Sequence, residues 1–180
     1  MNPVADLVRA WTGLAMIAAG KSEARGQFTP TLGGLAVAAG WFVLSLLLGA
    51  AAQSVAVGLP RLDQVLAGLG IQAVTVALLF WATAISLHFL KLSVPALILF
   101  VASLYILALM QAFAIPLILL GPNVQVLAIL AAALTIGRAG KVLAGMSTGS
   151  SIAFAFLALM VLVLVPVALY MLFLQIPSPA

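Results

Sequence analysis

The sequence of 180 residues contains no cysteine and very few charged residues. The absence of cysteine excludes disulfides, thiolate metal sites and thiol nucleophiles. Charged residues make up only 6% of the chain, whereas a soluble domain carries about 25%. Because 66% of the residues are hydrophobic, the few charges cannot keep a globular surface free of large apolar patches. The composition therefore excludes a water-soluble domain and indicates an integral membrane protein.

The basic residues are also few, seven against three acidic ones, for a formal net charge of +4. They stand singly, with long apolar runs between them, so the chain has no basic stripe that could follow a phosphate backbone. We therefore expect no nucleic-acid partner, and we interpret the basic residues as signals of membrane topology.

Long runs without Lys, Arg, Asp or Glu predict the membrane spans. A membrane helix needs about 20 mainly apolar residues, and the turn signal Gly121-Pro122-Asn123 divides the longest run. The predicted spans lie at about 33–58, 65–90, 93–120, 124–144 and 150–174. The fourth is the shortest, because its clean apolar part is only residues 124–136, and it crosses only if Arg138 and Lys141 extend to the interface. A re-entrant or tilted short helix is the alternative there.

The basic residues predict the orientation of these spans. With the N-terminus in the cytoplasm, six of the seven basic residues fall on the inner side and Arg61 alone falls outside. The inner six are Arg9, Lys21, Arg25, Lys91, Arg138 and Lys141. Because the chain is rich in Ala, Leu, Val and Gly and poor in Lys, we expect a bacterial inner membrane, with the C-terminus outside.

Residues 1–32 form a cytoplasmic segment before the bundle of residues 33–180. Asp6 and Arg9 interrupt the apolar stretch, which is unlike a signal peptide. Asn2 can cap a helix, apolar residues follow at helical spacing, and Gly20 can end it. The pattern predicts an amphipathic helix. It either lies at the inner interface among anionic headgroups or packs on the cytoplasmic ends of the bundle.

Few side chains are suited to catalysis. We expect all three acidic residues outside the membrane core, which disfavours a proton- or ion-coupled transporter. The single His88, at the inner end of the second span, does not make a metal site. Gly145-Met146-Ser147-Thr148-Gly149 matches the G-x-S-x-G pattern of hydrolases, but that motif needs a strand before the serine. We interpret it as a turn in which Ser147 or Ser150 caps the last span, and keep an intramembrane hydrolase as a remote alternative. We expect no catalysis, cofactor or metal.

Four polar residues of the spans are candidates for a polar layer: Gln53, Gln72, Thr75 and Gln111. The three glutamines lie on different spans at similar depth. An unpaired amide in hydrocarbon costs several kcal/mol, so these side chains should face protein or water. They either form hydrogen bonds between helices or line a cavity open to the outer side, for a small polar solute or a lipid headgroup. Asn123 and Gln125 would stand at its mouth.

The segment Gly137-Arg138-Ala139-Gly140-Lys141, followed by residues 145–149 and a long aliphatic helix, resembles the bacterial branch of the YIP-type (Ypt/Rab-interacting) membrane protein family. The five-span plan is also similar. The resemblance implies a non-enzymatic membrane protein that acts by contact. Eukaryotic members bind prenylated Rab-type GTPases, and they carry a longer hydrophilic N-terminal segment with an acidic-aromatic motif. This chain lacks that segment, so GTPase binding is not carried over.

Two functions follow as hypotheses. The first is a non-catalytic accessory, assembly or membrane-organising subunit, whose partner besides the lipid bilayer is another membrane protein or a second copy of the chain. The alternative is a small permease or a lipid- or solute-binding bundle that uses the polar layer. The candidate docking or headgroup contacts are Arg9, Trp11, Lys21, Arg25, His88, Lys91, Arg138 and Lys141.

Overall fold

A computed structural model describes residues 2–59, 61–117 and 123–174. Over these residues the chain forms helices and no strand. The helices are α1 (Pro3–Ala19), α2 (Leu32–Val57), α3 (Leu62–Phe89), α4 (Ala96–Leu117), α5 (Asn123–Ala144) and α6 (Thr148–Leu174), with a short 3₁₀ helix at Ser22–Gln27 after α1. Helices α2 to α6 are long and apolar enough to cross a membrane. The prediction of a membrane bundle of five helices after an N-terminal helix is confirmed.

The fourth predicted span is a continuous helix. Helix α5 has 22 residues, which corresponds to about 33 Å at 1.5 Å per residue and matches the roughly 30 Å of hydrocarbon in a bilayer. Arg138 and Lys141 lie in its last two turns, where their long side chains can reach the membrane surface. The length of α5 therefore favours a crossing helix over a short re-entrant one.

Helix α4 is the centre of the bundle. It packs mainly on α2 and α5, and α6 joins α5 to α3. More than half of the membrane-spanning part of α4 is buried, whereas less than a quarter is buried in α2, α3 and α6. Large apolar side chains such as Leu48, Trp81 and Leu164 face outward on those three helices. We interpret this outer surface as the lipid-facing one.

Small residues allow α5 and α6 to cross closely. The Ser151 hydroxyl donates a hydrogen bond to the Gly137 carbonyl oxygen at 2.8 Å. A Cβ atom on Gly137 would overlap the Cβ of Ala155 and lie 2.8 Å from the Ser151 carbonyl oxygen. Only glycine therefore fits at this position without moving the two helices apart.

Helix α1 is fixed to the bundle at both ends. The Trp41 indole N–H donates to the Pro3 carbonyl oxygen at 3.2 Å, and the Arg138 Nε donates to the Ile17 carbonyl oxygen at 2.9 Å. Trp41 is the tenth residue of α2, about 14 Å along that helix from its first residue. Of the two placements left open for this helix, the structure favours packing against the bundle, where α1 contacts α2, α4 and α5.

Candidate functional site

The three candidate glutamines converge on one cavity. Gln53 of α2, Gln72 of α3 and Gln111 of α4 all line a half-open space of about 290 Å³, which we call the glutamine cavity. Each glutamine lies in the half of its helix that is nearer the α2–α3 connection. The three glutamines, which the sequence places at similar depth, therefore meet at one site. Tyr170 of α6 also lines this site.

The cavity exists because α2 and α3 are consecutive in the chain but make almost no direct contact with each other. Helix α3 packs on α6 and α4 instead. Small residues line the resulting gap, including Gly49, Ala50 and Gly68. At Gly49 a Cβ atom would lie 3.1 Å from the Gln111 amide nitrogen, so glycine gives the amide of α4 close access to the backbone of α2.

The glutamine amides form no hydrogen bonds between helices among the described residues. Among the residues that the structure describes, Gln53, Gln72 and Gln111 form no side-chain hydrogen bond to one another or to other residues. Each amide therefore keeps N–H donors and a carbonyl acceptor available. The geometry favours the cavity over the alternative in which interhelical hydrogen bonds hold the layer together.

Thr75 does not belong to this site. Its side chain is buried, and its hydroxyl donates to the Ile71 carbonyl oxygen of the same helix at 2.8 Å. The cavity lining does not include Thr75. The side chains of Asn123 and Gln125, which we predicted at the mouth of the cavity, lie outside the part of the chain that the structure describes.

Sequence reasoning missed Ser54, Gln64 and Tyr170 in the lining. Gln64 had a usable signal, since it stands three residues after Arg61 at the start of a span, and its side-chain oxygen accepts from the Arg61 N–H at 3.1 Å. The Ser54 hydroxyl donates a hydrogen bond to the Ala51 carbonyl oxygen within α2 at 2.7 Å. Tyr170 carried no signal, because nothing in the sequence places α6 beside the gap.

A buried acidic residue, Asp6, lies in α1. Asp6 is only 7% exposed and forms an ion pair with Arg9. Its second carboxylate oxygen has no hydrogen-bond partner among the described residues. Tyr105, the tenth residue of α4, lies within electrostatic reach of both charges. The sequence did not predict that Asp6 is buried, and the spacing of three residues to Arg9 explains how its charge is compensated.

Most of the candidate docking residues gather at the opposite end of the bundle from the glutamine cavity. Arg25 donates through Nε to the Leu143 carbonyl oxygen at the end of α5. The Lys141 amine donates to the Thr148 hydroxyl at 2.9 Å. Lys21 follows the end of α1, and His88 and Lys91 lie where α3 ends and the chain turns toward α4.

Trp11 differs from these residues, because it packs on the Phe113 ring at a centroid distance of 5.7 Å. About half of its surface remains exposed. Phe113 lies near the C-terminal end of α4. Trp11 therefore packs α1 against the bundle, and its exposed half remains open to a headgroup.

The G-x-S-x-G segment forms a helix cap. Ser147 directly precedes α6, its Oγ accepts from the Ser150 N–H at 3.2 Å, and the two hydroxyls lie 3.0 Å apart. Among the described residues, the hydrogen bonds of Ser147 go to Ser150 and not to His88. The turn interpretation of this motif agrees with the geometry.

Comparisons of the chain with protein-family models, with curated proteins and with solved structures find no match. In the described ranges, no three His, Asp or Glu side chains are grouped so that they could hold a metal ion.

Proposed function

We propose that the chain is a non-catalytic integral membrane protein that binds a small, uncharged polar group in the glutamine cavity. One observation carries this proposal: Gln53, Gln72 and Gln111 reach the same cavity from three helices, with their amides free of hydrogen bonds among the described residues. Gln53 is exposed and Gln72 and Gln111 are half-buried, and an amide that faces hydrocarbon without a partner is unfavourable, so a ligand or ordered water that pairs with these amides is stabilised there.

The lining defines the class of ligand. Among the described residues, the lining of the cavity combines amide, hydroxyl, glycine and aliphatic positions and includes no Asp, Glu, Lys or Arg. A charged ligand would lose its hydration without gaining an opposite charge. The glutamine cavity has a volume of about 290 Å³, which is at the lower limit of ordinary ligand sites. The site therefore fits a hydroxyl- or amide-bearing solute, or the neutral hydroxylated part of a lipid headgroup that enters between α2 and α3.

Native mass spectrometry of the full chain, extracted from its host membrane into nanodiscs, tests this proposal. We expect a small polar molecule or lipid to remain bound to the wild type. Gln111→Leu should lose it while keeping or raising the unfolding temperature, because the substitution removes an unpaired amide. Thr75→Val, a polar-to-apolar change outside the cavity, is the matched control. Equal retention by the wild type and Gln111→Leu would refute a ligand site at the glutamine cavity.

A second candidate is the contact function that the YIP-type resemblance implies. It is supported by Ala36 and Gly40, two exposed small residues four positions apart on α2. No side chain lies near a Cβ placed on Gly40, and such spacing allows close approach of another membrane helix. The same mass spectra separate the two functions, because a contact protein retains a stoichiometric protein subunit or second copy in place of a small ligand.

For the location, we propose the inner membrane of a bacterium, with the N-terminus in the cytoplasm and the C-terminus outside. The support is the distribution of charge: the basic residues around the ends of α3 and α5 lie at one end of the bundle, and Arg61 at the other.

A further inference from the structure

A second cavity, of about 340 Å³, lies where α1 and α5 end. We call it the basic pocket, and its lining is Gly20, Ser22, Arg138, Lys141 and Val142. It is distinct from the glutamine cavity in position, because α5 ends at the side of the bundle opposite the α2–α3 connection. It is also distinct in chemistry, because two of its five lining residues carry positive charge.

The end of α1 holds the Arg138 side chain in place. The Arg138 Nε donates to the Ile17 carbonyl oxygen at 2.9 Å, so only the terminal amino groups of the guanidinium are left for another partner. Gly20 adopts a left-handed conformation with φ of 75°. A Cβ atom at Gly20 would lie 3.4 Å from the Arg138 Nη2, so glycine both ends α1 and leaves space beside the guanidinium.

Lys141 lies three residues after Arg138, on the same side of α5. Its amine donates to the Thr148 hydroxyl at 2.9 Å, and an ammonium group has further N–H donors. Ser22 adds a hydroxyl at the start of the 3₁₀ helix. The pocket thus presents a guanidinium, an ammonium and a hydroxyl around one space.

The positive charge of the pocket has no acidic partner in the described ranges. The ion pairs found there are Arg9 with Asp6 and Arg61 with Asp63, whereas Arg138 and Lys141 contact neutral oxygens. The adjoining 3₁₀ region carries Lys21, Glu23 and Arg25, so it adds one net positive charge. Cations placed close together repel one another, and an anion between them offsets that cost.

We propose that the basic pocket binds a phosphate group, either the phosphodiester of an anionic phospholipid headgroup or free inorganic phosphate. An Arg guanidinium can donate two parallel hydrogen bonds to phosphate oxygens, and a Lys ammonium adds a compact positive charge with further N–H donors. Basic pockets beside membrane helices at the cytoplasmic surface are suited to phospholipid headgroups. The proposal does not depend on the glutamine cavity or on its ligand.

The experiment uses the full chain in neutral detergent micelles. Dioleoylphosphatidylglycerol, dioleoylphosphatidylcholine and inorganic phosphate are titrated separately, while bound molecules are counted by native mass spectrometry and thermal unfolding is followed. The variants are Lys141→Gln and Arg138→Gln. Lys91→Gln is the matched control, since it removes a basic residue from the same end of the bundle outside the pocket. Lys141→Gln is the decisive variant, because Arg138 also caps α1 and its replacement affects folding.

We expect phosphatidylglycerol to bind and to raise the unfolding temperature, with phosphatidylcholine weaker. Lys141→Gln should weaken binding about fivefold, as expected for one basic group near an anionic surface, and Lys91→Gln should change it less than twofold. Stabilisation by phosphatidylglycerol alone identifies the lipid headgroup, and stabilisation by inorganic phosphate as well identifies a site for free phosphate. The proposal is overturned if none of the probes binds, if Lys141→Gln binds like the wild type, or if Lys91→Gln loses as much affinity as Lys141→Gln.

Discussion

The partly buried ion pair between Asp6 and Arg9 gives a direct test of how α1 is held on the bundle. The Asp6 carboxylate is 7% exposed and the Arg9 side chain is 52% exposed. Arg9→Gln removes the partner of a carboxylate that lies beside the middle of α4. We therefore expect α1 to dock less stably, although the helical propensities of Gln and Arg are similar.

The exposure of Arg9 sets the size of the effect. Breaking a fully buried ion pair costs about 3–5 kcal/mol, because one charge stays buried without compensation. Half of the Arg9 side chain is already accessible, so part of its interaction is screened. We therefore expect Arg9→Gln to lower the free energy of unfolding by about 1–3 kcal/mol. The double variant Asp6→Asn/Arg9→Gln should recover part of this loss, because it buries a neutral amide in place of the carboxylate.

Tryptophan fluorescence reports the docking of α1 directly. Trp11 packs on Phe113 and Trp41 bonds to the first residue of α1, so Trp81→Phe leaves two indoles that both sense this helix. Chemical unfolding of the four members of the Asp6–Arg9 cycle in this background gives the coupling energy. A coupling below about 0.5 kcal/mol, which is the level at which independent sites add, would show that the pair does not anchor α1.

Two further predictions concern the bundle as a whole. Gly137→Ala should lower the free energy of unfolding by about 1–3 kcal/mol, because the added methyl group overpacks the contact between α5 and α6. Gly70→Ala is the control: a Cβ at that position meets open space, so the change should be neutral or stabilising by up to about 1 kcal/mol. Thermal unfolding in micelles compares the two variants, and equal effects would contradict the close crossing of α5 and α6. A reporter fused after residue 180 should be active only outside the cytoplasm, and cytoplasmic activity would mean that the number of crossings is not five.

The membrane helices could be predicted because their signal is local. Hydrocarbon selects apolar runs of about 20 residues whatever their neighbours are, so the sequence marks each span independently. Where the structure describes a helix end, it lies within three residues of the predicted one. The meeting of Gln53, Gln72 and Gln111 was also predictable, because polar groups at one depth in an apolar medium must find protein, water or one another.

The depth of α1 could not be predicted for a physical reason. An amphipathic pattern requires an apolar surface, but it is the same whether that surface is lipid or the side of a helical bundle. The polar residues of this segment are compatible with either placement, and the spacing of three residues lets the half-exposed Arg9 side chain pair with the buried Asp6 carboxylate. The sequence placed Thr75 in the polar layer, but its hydroxyl donates a hydrogen bond to a carbonyl oxygen of its own helix. A threonine satisfied in this way does not need to face a cavity.

The two cavities differ because the helix ends that form them differ. At the α2–α3 end, two consecutive helices make almost no contact with each other, and neutral glycine and amide residues line the gap between them. At the α1–α5 end, the side chains that cap the terminal carbonyls of these helices, Arg138 and Arg25, are cations. The helix dipole places only about half a negative charge at each helix C-terminus, so it offsets part of the full positive charge of these side chains and leaves the rest. The positive charge that this leaves at the membrane surface is therefore a consequence of how the chain ends its helices, and it makes that end suited to an anion and the other end to a neutral ligand.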